Sequence, residues 1–163
     1  RRETGGAREI VPFELTWLNE IFGEPEPLAC VKSKVTDMDA DIDDIYHCLL
    51  RYPHGPLANI TIEVVSRPKA TRELHVVGRE GRLVFSSDEN CVRYIAVGDT
   101  DWTKIDLSAG TVEKGYINSE EPYISEMSDF VKAATVGDRH LFPNTLESDV
   151  RVLTLLNNLE KLS

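Results

Sequence analysis

Between residues 28 and 107 the chain holds about seven short β-type runs, most separated from the next by a tight turn rich in Gly or Pro. Such turns admit only antiparallel neighbours, because a parallel crossover needs roughly a dozen residues or more. The run 57–65 sets the pattern: Ile60, Ile62 and Val64 alternate with Asn59, Thr61 and Glu63. One sheet face is therefore apolar and the other polar, either wet or packed on a partner or substrate. Pro53-His54-Gly55-Pro56 joins this run to 45–52 as a hairpin. Runs 72–77 and 82–85 flank Gly78-Arg79-Glu80-Gly81, and runs 91–97 and 102–107 flank Gly98-Asp99-Thr100-Asp101. Residues 28–35 supply the first strand, while Gly110 and Gly115 loosen the chain after the last.

At both ends the period changes to that of a helix. Pro12 opens and Gly23 closes a helix over 10–22. Ile10, Val11, Phe13, Leu15, Trp17, Leu18, Ile21 and Phe22 cover more than half of its circumference, which predicts cover on two sides. Glu14 projects near the middle of that arc, where an unpaired carboxylate is costly. A structural ion pair, with Arg8 or another Arg, accounts for it, and so does a site residue lining a cleft. Tyr123, Ile124, Met127, Phe130, Val131 and Ala134 mark a second helix ended by Gly137. A third starts at 143–147, with Asn144 or Thr145 as cap and Glu147 close to capping-box position; Val150, Leu153, Leu156, Leu159 and Leu162 form its stripes. Helix, strands, then two helices predict an α+β fold: one large mostly antiparallel sheet with helices packed on one face, in a single domain over 1–163.

The net charge of −10 argues against nucleic-acid backbones, and no apolar run approaches the roughly 20 residues of a membrane span. The start, Arg-Arg-Glu-Thr-Gly-Gly, lacks a signal core and an initiator Met, so the chain is expected to be a fragment of a longer cytoplasmic protein. Cys30, Cys48 and Cys91 lie far apart in sequence without CxxC spacing and read as reduced thiols, not as a zinc set. Asn59-Ile60-Thr61 fits a glycosylation sequon but sits inside a strand. Alternating aspartates from Asp37 to Asp44 resemble a calcium loop, yet Ile42 and Cys48 occupy its Gly and Glu positions, leaving a solvated acidic loop. His47 and His75 read as half-buried strand residues, His54 and His140 as exposed loop residues. Walker, dinucleotide-fingerprint and nucleophile-elbow motifs are absent.

Four local motifs in order carry a resemblance: Gly5-Gly6 leading to a helix that ends Ile21-Phe22-Gly23-Glu24-Pro25; Asp44 through Gly55 with its His-Gly turn; His75 to Leu83 with its Gly-x-x-Gly hairpin; and Tyr123-x-x-Glu126-x-x-x-Phe130 before a loop to Pro143 and a last helix. The chain resembles the C-terminal domain of the Gfo/Idh/MocA family, the glucose–fructose and inositol dehydrogenase-like oxidoreductases. That resemblance implies a two-domain enzyme using NAD or NADP on a sugar or cyclitol hydroxyl. Its coenzyme site and catalytic Lys would belong to an N-terminal Rossmann domain absent from this chain. This domain would supply the substrate pocket, with homo-oligomerisation through its open sheet face. Members carry Asp, His and Asp on the first helix of this domain. Those positions fall here on Glu9, Phe13 and Thr16 counting back from Gly23, and the His position falls on Glu14 counting forward from Gly6. Neither count yields a His. The resemblance thus points to Glu14 and Glu9 as candidate catalytic carboxylates, and to Phe13 and Thr16 as substrate-binding residues. A non-catalytic ligand-binding or assembly module of the same fold is the alternative.

Overall fold

The computed structural model describes residues 1, 3–107, 120–142 and 144–163. Gly110, Gly115 and Pro143 lie outside the described residues. The elements run α1 (Val11–Phe22), β1 (Glu26–Ser33), β2 (Ile45–Arg51), β3 (Leu57–Glu63), β4 (Glu73–Gly78), β5 (Gly81–Ser86), β6 (Cys91–Ala96), β7 (Thr103–Asp106), α2 (Glu121–Val136) and α3 (Leu146–Glu160). This is the expected α+β order. The chain falls into two compact units, Arg1–Pro68 with Asn144–Ser163, and Lys69–Pro143. The expectation of one large sheet is corrected: the strands pair as a three-stranded sheet β1-β2-β3 and a four-stranded sheet β4-β5-β6-β7, antiparallel throughout. The reason lies at the end of β3. There the Glu63 carboxylate accepts the Val65 amide at 2.7 Å and the Ser66 hydroxyl. This local turn captures the backbone before it can continue a ladder.

In the first unit, Cys30, Cys48 and Ile60 share one cross-strand row and Lys32, Tyr46 and Ile62 the next. Tyr46, Cys48, Leu50 and Ile60 are buried with Val11, Leu15 and Leu18 of α1 and Val152, Leu155, Leu156 and Leu159 of α3 in a single core. Both helices therefore cover one face of this sheet. Thr145 proves to be the α3 cap, its hydroxyl accepting the Ser148 amide at 3.1 Å.

The β1–β2 connection departs from a solvated acidic loop. Asp37, Asp39 and Asp41 are exposed, but Asp43 and Asp44 are buried. Asp44 accepts the Val35 amide at 2.7 Å, the Thr36 amide at 2.9 Å and the Thr36 hydroxyl at 2.6 Å. The Thr36 hydroxyl, then the Val35 amide, hold its carboxyl below the usual range against the opposing effect of burial. Asp44 thus ties the two ends of the loop together. No group of three metal-ligating side chains occurs among the described residues.

In the second unit, Gly78 pairs with Gly81 around the two-residue turn between β4 and β5. A Cβ on Gly81, at φ +156°, would lie 2.2 Å from the Ile95 carbonyl oxygen, so no other residue fits there. Helix α2 ends in the left-handed Gly137, and Phe130 meets Phe142 edge-on with centroids 5.8 Å apart. His47 and His75, expected half-buried, are exposed: His47 lies on the solvent side of β2, and β4 around His75 is exposed on both faces but for half-buried Leu74. His54 and His140 are exposed as expected. No described helix is long and apolar enough to cross a membrane.

Candidate functional site on the first helix

The four candidate residues lie on or beside α1. At about 100° per residue, Val11, Leu15, Leu18 and Phe22 form its inward arc. Val11, Leu15 and Leu18 are buried, and Phe22 packs tilted on Tyr52 at 5.6 Å. The opposite arc runs in order through Thr16, Glu20, Phe13, Trp17, Ile21 and Glu14, with Glu9 in the 3-10 turn just before the helix. Phe13 is 69% and Ile21 63% exposed, so α1 is covered on one side, not on two as its broad apolar arc implied. Phe13, Trp17 and Ile21 form a stripe at i, i+4 and i+8, bordered by Glu20 on one side and by Glu14 on the other.

Each candidate has a definite setting. Glu9 ends a 3-10 turn over Gly6–Glu9 and is exposed. Glu14 is half-buried and accepts the Trp17 indole N–H at 2.7 Å. This bond ties the indole to the Glu14 carboxylate one turn back on the helix. Thr16 is exposed, and its hydroxyl donates to the Pro12 carbonyl at 2.8 Å, so what it offers a ligand is an acceptor. Phe13 and Thr16 are exposed on α1 with Glu9 exposed at its head, while Glu14 is half-buried beside Trp17, at the far edge of the same arc. An apolar ring face bordered by carboxylates suits a polyhydroxylated ring, whose C–H face stacks on an aromatic while its hydroxyls donate outward.

Arg8, the suggested partner of Glu14, is directed elsewhere. Its Nε donates to Glu160 Oε1 at 2.8 Å and its Nη2 to Glu160 Oε2 at 3.0 Å, with Asn157 Oδ1 at 3.2 Å. The Tyr46 hydroxyl donates to the same Glu160 Oε1 at 2.9 Å. Burial opposes ionisation of Glu160, but the Arg8 guanidinium and the Tyr46 hydroxyl outweigh it and hold the carboxyl below its usual range. Burial and the facing carboxylate push the Tyr46 phenol up. Sequence reasoning missed this cluster because its members lie 152 and 114 positions apart. Its one advance signal was the pair of charges, Arg8 and Glu160, at the edges of two apolar stripes.

The fold of this chain matches part of several solved dehydrogenase and reductase structures, as the resemblance implied. Among solved structures, an inositol dehydrogenase homolog from Azotobacter vinelandii complexed with NAD+ matches with TM-score 0.69 at 13% identity, over 94% of this chain and 46% of that one. A 3-ketoreductase from Actinomadura kijaniata, in complex with TDP-benzene and NADP, matches with TM-score 0.72 at 16% identity, over 99% of this chain and 48% of that one. Levoglucosan dehydrogenase with NADH and levoglucosan matches with TM-score 0.67 at 17% identity, over 98% and 49%. The chain spans about half the length of these structures. No protein-family profile and no curated protein sequence matches it.

Proposed function

We propose that this chain is the substrate-side domain of an NAD- or NADP-dependent oxidoreductase acting on a sugar or cyclitol hydroxyl. The observation that carries the reading is the outward face of α1, where Phe13 lies exposed between Glu9 and Glu14. In this reading Phe13 stacks on the ring and Thr16 accepts a substrate hydroxyl. Glu14, with Glu9 in support, accepts the proton of the reacting hydroxyl. The Gly78–Gly81 turn joins two antiparallel strands, whereas a pyrophosphate is held where a glycine turn opens a helix. The coenzyme, which supplies hydride chemistry, is accordingly assigned to a Rossmann domain outside residues 1–163. Homo-oligomerisation through the sheet is supported by Val31, Leu49 and Leu57, apolar and exposed on the outer face of β1-β2-β3.

A second reading, a ligand-binding or assembly module without turnover, is favoured by one observation: Phe13 or Glu14 stands where such dehydrogenases carry a His. Turnover by the full-length protein separates the two. With NAD(P) and a panel of cyclitols and sugars, Glu14→Gln is expected to lower kcat about a hundredfold while melting stays within a few degrees of wild type. A lowered melting temperature with unchanged kcat would make Glu14 a structural residue held by Trp17. In calorimetry, the chain 1–163 alone is expected to give no heat with NAD(P). Saturable binding would place the nucleotide site within it.

A further inference from the structure

The two cysteines that are 18 positions apart in sequence face each other in the folded chain, Cys30 on β1 directly opposite Cys48 on β2. Both are free thiols on the inner side of the sheet and belong to its core. Directly opposed residues of an antiparallel pair have Cα atoms about 4.5–5.5 Å apart, inside the window a disulfide requires. Directly opposed residues of a ladder also point to the same sheet face, so the two side chains lie side by side in the core. We propose that Cys30 and Cys48 form a dithiol modification site, which a small hydroperoxide oxidises to an intramolecular disulfide linking β1 to β2.

Three further features define the chemistry. The facing Cys48 lowers the Cys30 thiol against the effect of burial, with the Lys32 ammonium adding to the lowering. Cys48 is raised by the same contact and by burial. Cys30, on the edge strand, is the attacking thiol and Cys48, on the central strand, the resolving one. β1 is an edge of its sheet among the described residues, so Cys30 has a neighbouring strand on one side only. In the next cross-strand row stands Lys32, whose side chain is 31% exposed. Cys91, equally buried, has Ser86 and Asp106 as its ladder partners and no facing thiol.

The step balances. The Cys30 thiolate attacks the hydroperoxide, breaking the O–O bond to give a sulfenic acid and releasing hydroxide or alkoxide, which takes up a proton. Cys48 then attacks the sulfenic sulfur, the S–S bond forms, and water leaves with the Cys48 proton. Two thiols are oxidised and one peroxide is reduced.

The test treats the folded chain with hydrogen peroxide, blocks remaining thiols under denaturing conditions, and maps peptides without reduction. The near-ultraviolet circular dichroism is followed throughout, so that only folded protein is scored. The expected product has lost two hydrogen atoms in mass and joins the Cys30 and Cys48 peptides. Alkylation of both residues should fall roughly tenfold while Cys91 stays alkylated. Dithiothreitol should restore the thiols. Cys30→Ser should leave Cys48 a free thiol at the same peroxide dose. Recovery of both thiols unchanged from treated wild type would overturn the proposal. So would a bridge to Cys91, or accumulation of sulfinic acid at Cys30 without a bridge.

Discussion

Arg8→Ala is expected to lower the unfolding free energy by about 3 kcal/mol, measured by urea denaturation at pH 7. Two opposing magnitudes decide this figure. An exposed ion pair is worth about 0–1 kcal/mol, whereas removing one partner of a buried pair costs about 3–5 kcal/mol by stranding the other charge. Here the Arg8 and Glu160 side chains are 20% and 15% exposed, and the contact is bidentate. The effect therefore falls at the low end of the buried range. The loss comes mostly from the stranded Glu160 carboxylate, so adding Glu160→Gln to Arg8→Ala should recover a good part of it. If the double variant is no more stable than the single one, the account of a stranded charge is wrong.

The same pair gives a pH signature. The Glu160 carboxyl is depressed in the folded state, so its contribution is fully present above the unfolded value of ~4.3 and is lost as pH falls through the lower folded value. Wild type and Arg8→Ala should therefore differ most at neutral pH and converge in acid. A gap that stays constant down to pH ~3 would rule out the linkage.

Gly6→Ala is expected to cost about 3 kcal/mol or more, and to do so without removing any hydrogen-bonding group. Gly6 has φ +72°, and a Cβ there would lie 2.6 Å from the Asp43 carbonyl oxygen and 2.8 Å from Ile42 Cβ. The carbonyl cannot yield easily, because it also accepts the Ala7 amide at 3.1 Å. Neighbouring Asp44 is fixed in turn by its three bonds to Val35 and Thr36. The left-handed backbone alone costs an alanine about 1 kcal/mol, and the clash adds the larger share. Gly55, at φ +108° with nothing within 4 Å of its virtual Cβ, is the control: Gly55→Ala should cost only the conformational part. Equal losses at the two positions would mean that the contact with Asp43 carries no energy.

These two cases show where sequence reasoning reached and where it stopped. The seven strands, their Gly and Pro turns, the Thr145 cap and the Gly137 stop were legible because each rests on a few neighbouring residues. Pro53 to Pro56 closes a hairpin whatever surrounds it. Partners distant in the chain were not legible. Nothing near Cys30 in sequence announces Cys48, because their meeting depends on the register of β1 against β2, set by the whole strand pair. Asp44 read as one more solvated aspartate, since burial is decided by how the loop folds back on Thr36. The exposed Phe13 and Ile21 show the converse limit. An apolar arc tells how much of a helix can be covered, while the width of the packing surface decides how much is. The candidate residues were named by the family resemblance, with only Glu14 also marked by its place on the apolar arc, and their surroundings became visible only in the fold.

The first unit is assembled from two stretches of chain that are distant in order of synthesis. Its sheet is complete once Glu63 has been made, but α3, which shields that sheet, is not finished until Glu160. Roughly a hundred residues lie between, or about 5–20 s of translation at usual rates. Throughout that interval α1 alone covers the inner face, and the part of it that α3 will shield stays sticky, while the intervening stretch is already free to fold. A nascent chain stalled before α3 should therefore be held by chaperones or be degraded, and any truncation that removes the last helix turns a transient hazard into a permanent one.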